Sequence, residues 1–70
     1  MNTFLFFRNR ASLSQEIVSE SLGITQGAVS QWEKGLTYPS TKLLPKLAEL
    51  YGCSIDALLS HDAEDEANTA

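Results

Sequence analysis

Apolar residues recur along the chain three and four positions apart, in short stretches divided by residues that start or stop helices. Phe4 and Phe7 share one face of a stretch running from about Thr3 to Arg10, with Arg8 one position further round. A second stretch starts after Ser14, a favourable N-cap. There Gln15, Val18, Ser19 and Leu22 follow at helical spacing, and Gly23 stands where a left-handed residue ends a helix. The third takes Thr25 as its N-cap and carries Ala28, Val29 and Trp32 as its apolar stripe. It closes on Lys34, a favourable last-turn cation, and on Gly35. Leu36 to Pro39 reads as a loop. The fourth opens at Ser40, buries Leu43, Leu44, Leu47, Ala48, Leu50 and Tyr51, and ends at Gly52. Pro45 lies inside it; a proline there lacks the N–H and crowds the carbonyl four residues back. That predicts a kink, or a helix that effectively starts near Leu44. The fifth opens at Ser54 and carries Ile55, Leu58 and Leu59.

No stretch alternates with a period of two, so no strand is predicted. The expected fold is all-α, five short helices around one core. The second and third helices are joined by Gly23-Ile24-Thr25, the pattern of a helix-turn-helix. Seventy residues, 43% of them hydrophobic, make one small domain over residues 1–60. Residues 61–70 read as an acidic, disordered tail. Splitting the charge this way changes its meaning. The net −4 comes from Asp62, Glu64, Asp65 and Glu66, and residues 1–61 carry five basic and five acidic side chains.

Several functional classes drop out. The longest apolar run, Phe4 to Phe7, is too short for a membrane span or a signal-peptide core, which predicts a cytoplasmic protein. One cysteine, Cys53, allows no intrachain disulfide and no cysteine-based metal site. His61 has no partner at ligand spacing. There is no Ser/His/Asp set, no phosphate loop and no pair of carboxylates on one helical face. Enzymatic activity, a cofactor and a small-molecule ligand are therefore not expected.

The segment LSQEIVSESLGITQGAVSQWEKG, residues 13–35, resembles the helix-turn-helix of the Cro/repressor-type (XRE) DNA-binding proteins. Pro39-Ser40, Leu47-Ala48, Tyr51-Gly52, Ser54, Asp56 and Leu58 continue the resemblance, which covers residues 4–59. It implies a lambda-repressor-like domain of five helices that binds double-stranded operator DNA as a homodimer and regulates transcription, as a repressor of bacterial or phage type. It also implies that Arg8 and Glu33 form a partly buried ion pair. Three positions depart from the pattern: Ser19 where alanine is usual, Ile17 where a polar residue is usual, and Pro45 at an aliphatic position. A serine is tolerated at Ser19 if its hydroxyl bonds back to a carbonyl one turn earlier.

In such a domain the third helix lies in the major groove with its N-terminal residues toward the bases. Gln26 and Gln31 match base-contact positions, although about 140° separates them around the helix. Glutamine can pair bidentately with adenine N6 and N7, for about 1–3 kcal/mol of discrimination. Gly27 would let the backbone come close, and Ser30 could reach base or phosphate. Phosphate contacts are expected from Gln15, which would also brace Gln26, and from Thr25, Lys34, Thr37, Tyr38 and Lys42. Such contacts fix register without reading sequence. Lys46 reads as plain surface, and Trp32 as core rather than a stacking residue. Ile55, Leu58 and Leu59 exceed what a short terminal helix needs, so they are the expected dimer surface. A two-fold dimer implies a palindromic operator. The balanced charge of residues 1–61, the acidic tail and Ile17 keep an alternative open. This is a helix-turn-helix interaction module, an antitoxin or antirepressor-like partner, with weak DNA binding.

Overall fold

Three helices begin where a serine or threonine turns its hydroxyl back onto the backbone. In the computed structural model, which describes residues 2–59, Ser14 Oγ accepts from the Ile17 N–H at 3.1 Å. Thr25 Oγ1 accepts from Ala28 at 3.2 Å, and Ser54 Oγ from Ala57 at 3.0 Å. Each bond satisfies one of the N–H groups that a helix start leaves without a partner. The helices are α1 (Thr3–Arg10), α2 (Gln15–Leu22), α3 (Gln26–Glu33), α4 (Leu44–Tyr51) and α5 over residues 55–59. No strand occurs among the described residues. The proposed tail, residues 61–70, lies outside them, as does His61.

Gly23 and Gly52 end α2 and α4 at φ +70°, the left-handed region that glycine enters without a Cβ clash. The first helix stops differently. Ser12 takes φ +59°, and Arg8 Nη1 donates to the Leu13 carbonyl at 2.8 Å. The Arg8 side chain thus stitches the turn between α1 and α2.

Two sequence expectations need correction. Ser40 is not the N-cap of α4. Residues 41–43 form a turn in which the Ser40 carbonyl accepts from the Leu43 N–H at 3.0 Å, and the helix proper begins at Leu44. Pro45 is the reason. A helix starting at Thr41 would place it where an N–H is required. Starting at Leu44 puts it in the first turn, where its missing N–H would have had no partner. Of the two outcomes anticipated for Pro45, the late start is the one found.

The second correction concerns Leu58. Its side chain is fully buried, in one cluster with Phe4, Phe7, Val18, Val29, Trp32, Leu47, Ala48 and Tyr51. It closes the core and has no surface to offer a partner. Leu59 is 45% exposed and Ile55 is half-buried. Every helix contributes to this cluster, and Phe4 is fully buried in it. Its ring is tilted against Trp32 at 6.3 Å and meets the edge of Tyr38 at 6.0 Å. The second contact ties the loop after α3 to α1. Ser19 is buried as well, its hydroxyl donating to the Glu16 carbonyl at 2.7 Å. That bond is what makes a polar side chain tolerable at the α2–α3 contact.

Candidate nucleic-acid interface

The turn between α2 and α3 is held by the backbone itself. The Ile24 N–H donates to the Ser19 carbonyl at 3.0 Å while Gly23 takes the left-handed bend. This brings the start of α3 beside the start of α2. One face of α3 is spent on the core through Val29 and Trp32. The other is left open. Thr25, Gln26, Gly27 and Gln31 are exposed, and Ser30 is half-buried. Lys34, Thr37, Tyr38 and Lys42, on the following loop and turn, are exposed too. Tyr38 is 65% exposed even though its ring edge rests on Phe4.

Gln26 is steadied from below by a chain of polar side chains. Arg8 Nε and Nη2 both donate to the Glu33 carboxylate, the latter at 2.9 Å to Oε1. The pair is almost shut off from solvent, with side-chain exposure of 14% for Arg8 and 5% for Glu33. The hydrogen bond to Glu33 holds the Arg8 guanidinium proton more tightly than usual, outweighing the opposing effect of burial. Gln15 Nε2 donates to the same Glu33 Oε1 at 2.9 Å. Its own Oε1 accepts from Gln26 Nε2 in a long contact of 3.4 Å. Four residues from α1, α2 and α3 are therefore linked in a row that leads from a half-buried charge to the exposed start of α3.

The resemblance to the Cro/repressor-type proteins placed Arg8 with Glu33 and Gln15 with Gln26, but it did not supply the bond that joins the two pairs. Gln15 and Glu33 lie 18 residues apart, and no local pattern marks them as neighbours. It also missed Asn2, whose side chain caps α1 and reaches α3. Lys46 is exposed, and so is Ile17, at 48%. Cys53 is half-buried, and burial pushes its thiol up, with Arg10 opposing. No helix among the described residues is long and apolar enough to cross a membrane.

Comparison with known proteins agrees with this geometry. A family model described as helix-turn-helix matches residues 7–58, from the core end of α1 through to α5. The chain belongs to the helix-turn-helix family. Its all-helical arrangement is the lambda-repressor-like one that the resemblance to the Cro/repressor-type (XRE) proteins implied. Within the family it is similar to the HTH-type transcriptional activator BcrR of Enterococcus faecalis, 36% identical over 53 residues. Those residues are 76% of this chain and 26% of BcrR, so the chain spans about a quarter of that relative. It is also similar to an uncharacterized HTH-type transcriptional regulator of Methanocaldococcus jannaschii, 28% identical over 64 residues. Here the match takes in 91% of this chain and 97% of the relative. No solved structure matches significantly.

Proposed function

We propose that this helix-turn-helix protein binds operator DNA sequence-specifically and regulates transcription, with residues 1–60 as the DNA-binding unit. The observation that carries the reading is the exposed, polar start of α3, with Gln26 held by Gln15. The α3 helix lies in the major groove, Gln26 and Gln31 read base edges, and Gly27 and Ser30 come close to the bases. Gln15, Thr25, Lys34, Thr37, Tyr38 and Lys42 contact phosphates on either side. Occupying a promoter is enough to block it, so repression is the expected effect.

The charge balance makes dimerisation part of this reading. Few cations face the groove, and a single copy neutralising about three phosphates would bind weakly. Two copies neutralise about six, for a salt slope near −5. The dimer forms through α5, with Leu59 and the half-buried Ile55 as its apolar contacts; Leu58 takes no part. Two-fold symmetry then asks for a palindromic operator with half-sites about one helical turn apart.

The test is to titrate the purified protein onto the DNA upstream of its own gene at two salt concentrations, and to footprint the complex. Tight, sequence-dependent binding that weakens steeply with salt is expected. Gln31→Ala should lose base preference while its stability stays within about 0.5 kcal/mol of wild type, as for an exposed side chain. Equal, weak binding to all DNA would favour the interaction-module reading instead.

A further inference from the structure

Once Arg8 and Glu33 have paired, the charges left on the outside are sorted by position. Within residues 23–48 the chain carries one carboxylate, Glu33, and its side chain is 5% exposed and held by Arg8. The same stretch carries Lys34, Lys42 and Lys46, all exposed. The exposed acids among the described residues, Glu16, Glu20, Glu49 and Asp56, lie on α2, α4 and α5. Lys46 lines a groove that Glu49 lines as well. Lys34 and Lys42 have no ion-pair partner among the described residues. Beyond Leu59, the last described residue, the sequence turns acidic, with Asp62, Glu64, Asp65 and Glu66. Three to seven residues of chain reach at most about 10 to 25 Å. That is comparable to the domain itself, whose radius of gyration is 11.4 Å. The chain also leaves α5 from the core that the loop after α3 rests on. Leu58 is buried in one cluster with Phe4, and the Phe4 ring meets the edge of Tyr38.

We propose that the acidic segment, residues 62–66, docks on the surface of Lys34 and Lys42 and competes there with DNA phosphates, so that the chain restrains its own binding. This rests on the DNA-binding reading above and adds a regulation to it. Four carboxylates complement two unpaired lysines, and a short tether holds them at an effective concentration in about the millimolar range. A contact too weak to persist between separate molecules is then populated within one chain. A duplex presents a denser line of negative charge and displaces the segment. The restraint is strongest at low salt, where the carboxylates and lysines are least screened.

The test uses the full chain with Asp62→Asn, Glu64→Gln, Asp65→Asn and Glu66→Gln combined, which leaves every residue placed at the DNA interface untouched. Wild type and variant are titrated onto one operator duplex at about 50 mM and about 200 mM salt. At the lower salt the variant should bind about fivefold tighter or more, as when only about one fifth of the wild type is free to bind. At the higher salt the ratio should fall to about twofold, so the variant has the steeper salt dependence. Equal affinities at both salts overturn the proposal. The DNA-free protein gives a second readout. In NMR spectra, neutralising the segment should shift the amide signals of residues 34–42 and leave those around Lys46 in place. Added salt should move the wild-type signals the same way. A gain in affinity without these shifts, or with shifts around Lys46 instead, overturns docking at Lys34 and Lys42 and leaves only repulsion between the segment and DNA. Shifts at residues 34–42 without operator binding by either protein would remove the DNA-binding reading, and the competition with it.

Discussion

Asn2 joins the first helix to the third. Its Oδ1 accepts from the Phe4 and Leu5 N–H groups at 2.8 and 3.2 Å, and its Nδ2 donates to the Trp32 carbonyl at 2.9 Å. One amide thus caps the start of α1 and satisfies a carbonyl at the end of α3. Asn2→Ala should lower stability by about 1–2 kcal/mol, chiefly from the lost cap, because the Trp32 carbonyl keeps its bond from the Gly35 N–H at 3.1 Å. Asn2→Asp keeps the acceptor and loses only the donor, so it should fall between the two. Urea unfolding of the three proteins checks the order. Equal stability of the aspartate variant and wild type would mean the Trp32 bond contributes nothing.

Glu33 neutralises Arg8 where water hardly reaches either. Removing one member of such a pair leaves a charge without compensation. Glu33→Ala should therefore cost about 3 kcal/mol, toward the lower end of the range for broken buried pairs because Arg8 keeps some exposure. Arg8 also donates to the Leu13 carbonyl, so Arg8→Met should loosen the turn before α2 as well. In a double-mutant cycle, the Arg8→Met/Glu33→Ala protein should be more stable than the sum of the two losses predicts. Additive losses would argue against a direct coupling.

Helix limits were legible in the sequence wherever the deciding chemistry is local. Ser14, Thr25 and Ser54 cap their helices through bonds to the third residue on, and Gly23 and Gly52 bend left-handed at the ends. Ser40 looked equally good as a cap, but Pro45 sets a constraint that only a later start satisfies. Leu58 was misplaced for a different reason. Three apolar residues on a short terminal helix do not reveal which of them faces inward; packing against the other helices decides that. On the exposed side of α3, the resemblance to the Cro/repressor-type proteins marked Gln26 and Gln31. The bond from Gln15 to Glu33 depends on how α2 crosses the end of α3, which no periodicity encodes.

Tyr51 is buried, and its hydroxyl has no hydrogen-bond partner among the described residues. Burial raises its pKa, and the Glu33 charge adds to this against the opposing effect of Arg8. In the unfolded chain the phenol ionises near the ordinary value of about 10; in the folded protein it stays neutral above that. The unfolded state then binds fewer protons, so stability is full below pH of about 10 and falls as pH rises beyond it. Tyr51→Phe should abolish that fall, and at neutral pH it should be neutral or stabilising by up to about 1 kcal/mol. Cys53 adds a similar loss that starts at lower pH, so the comparison belongs in a Cys53→Ala background. Urea midpoints on either side of pH 10 decide it. An alkaline decline that persists unchanged in the phenylalanine protein would assign it to another group.

Substitution of Gly27 offers a way to separate binding from folding. It sits in the first turn of α3, exposed, and a Cβ built there would come no nearer than 3.9 Å to the Thr25 hydroxyl. Nothing within the protein therefore requires glycine. Alanine in its place should raise stability by up to about 1 kcal/mol through helix propensity, with a melting temperature higher by up to about 8 °C. DNA in the major groove would meet the added methyl first, so affinity for the operator should fall by several-fold or more. Thermal unfolding and operator titration of Gly27→Ala should move in opposite directions. A stabilised variant that binds the operator as well as wild type would show that the DNA backbone and bases keep their distance here, and would remove Gly27 from the interface.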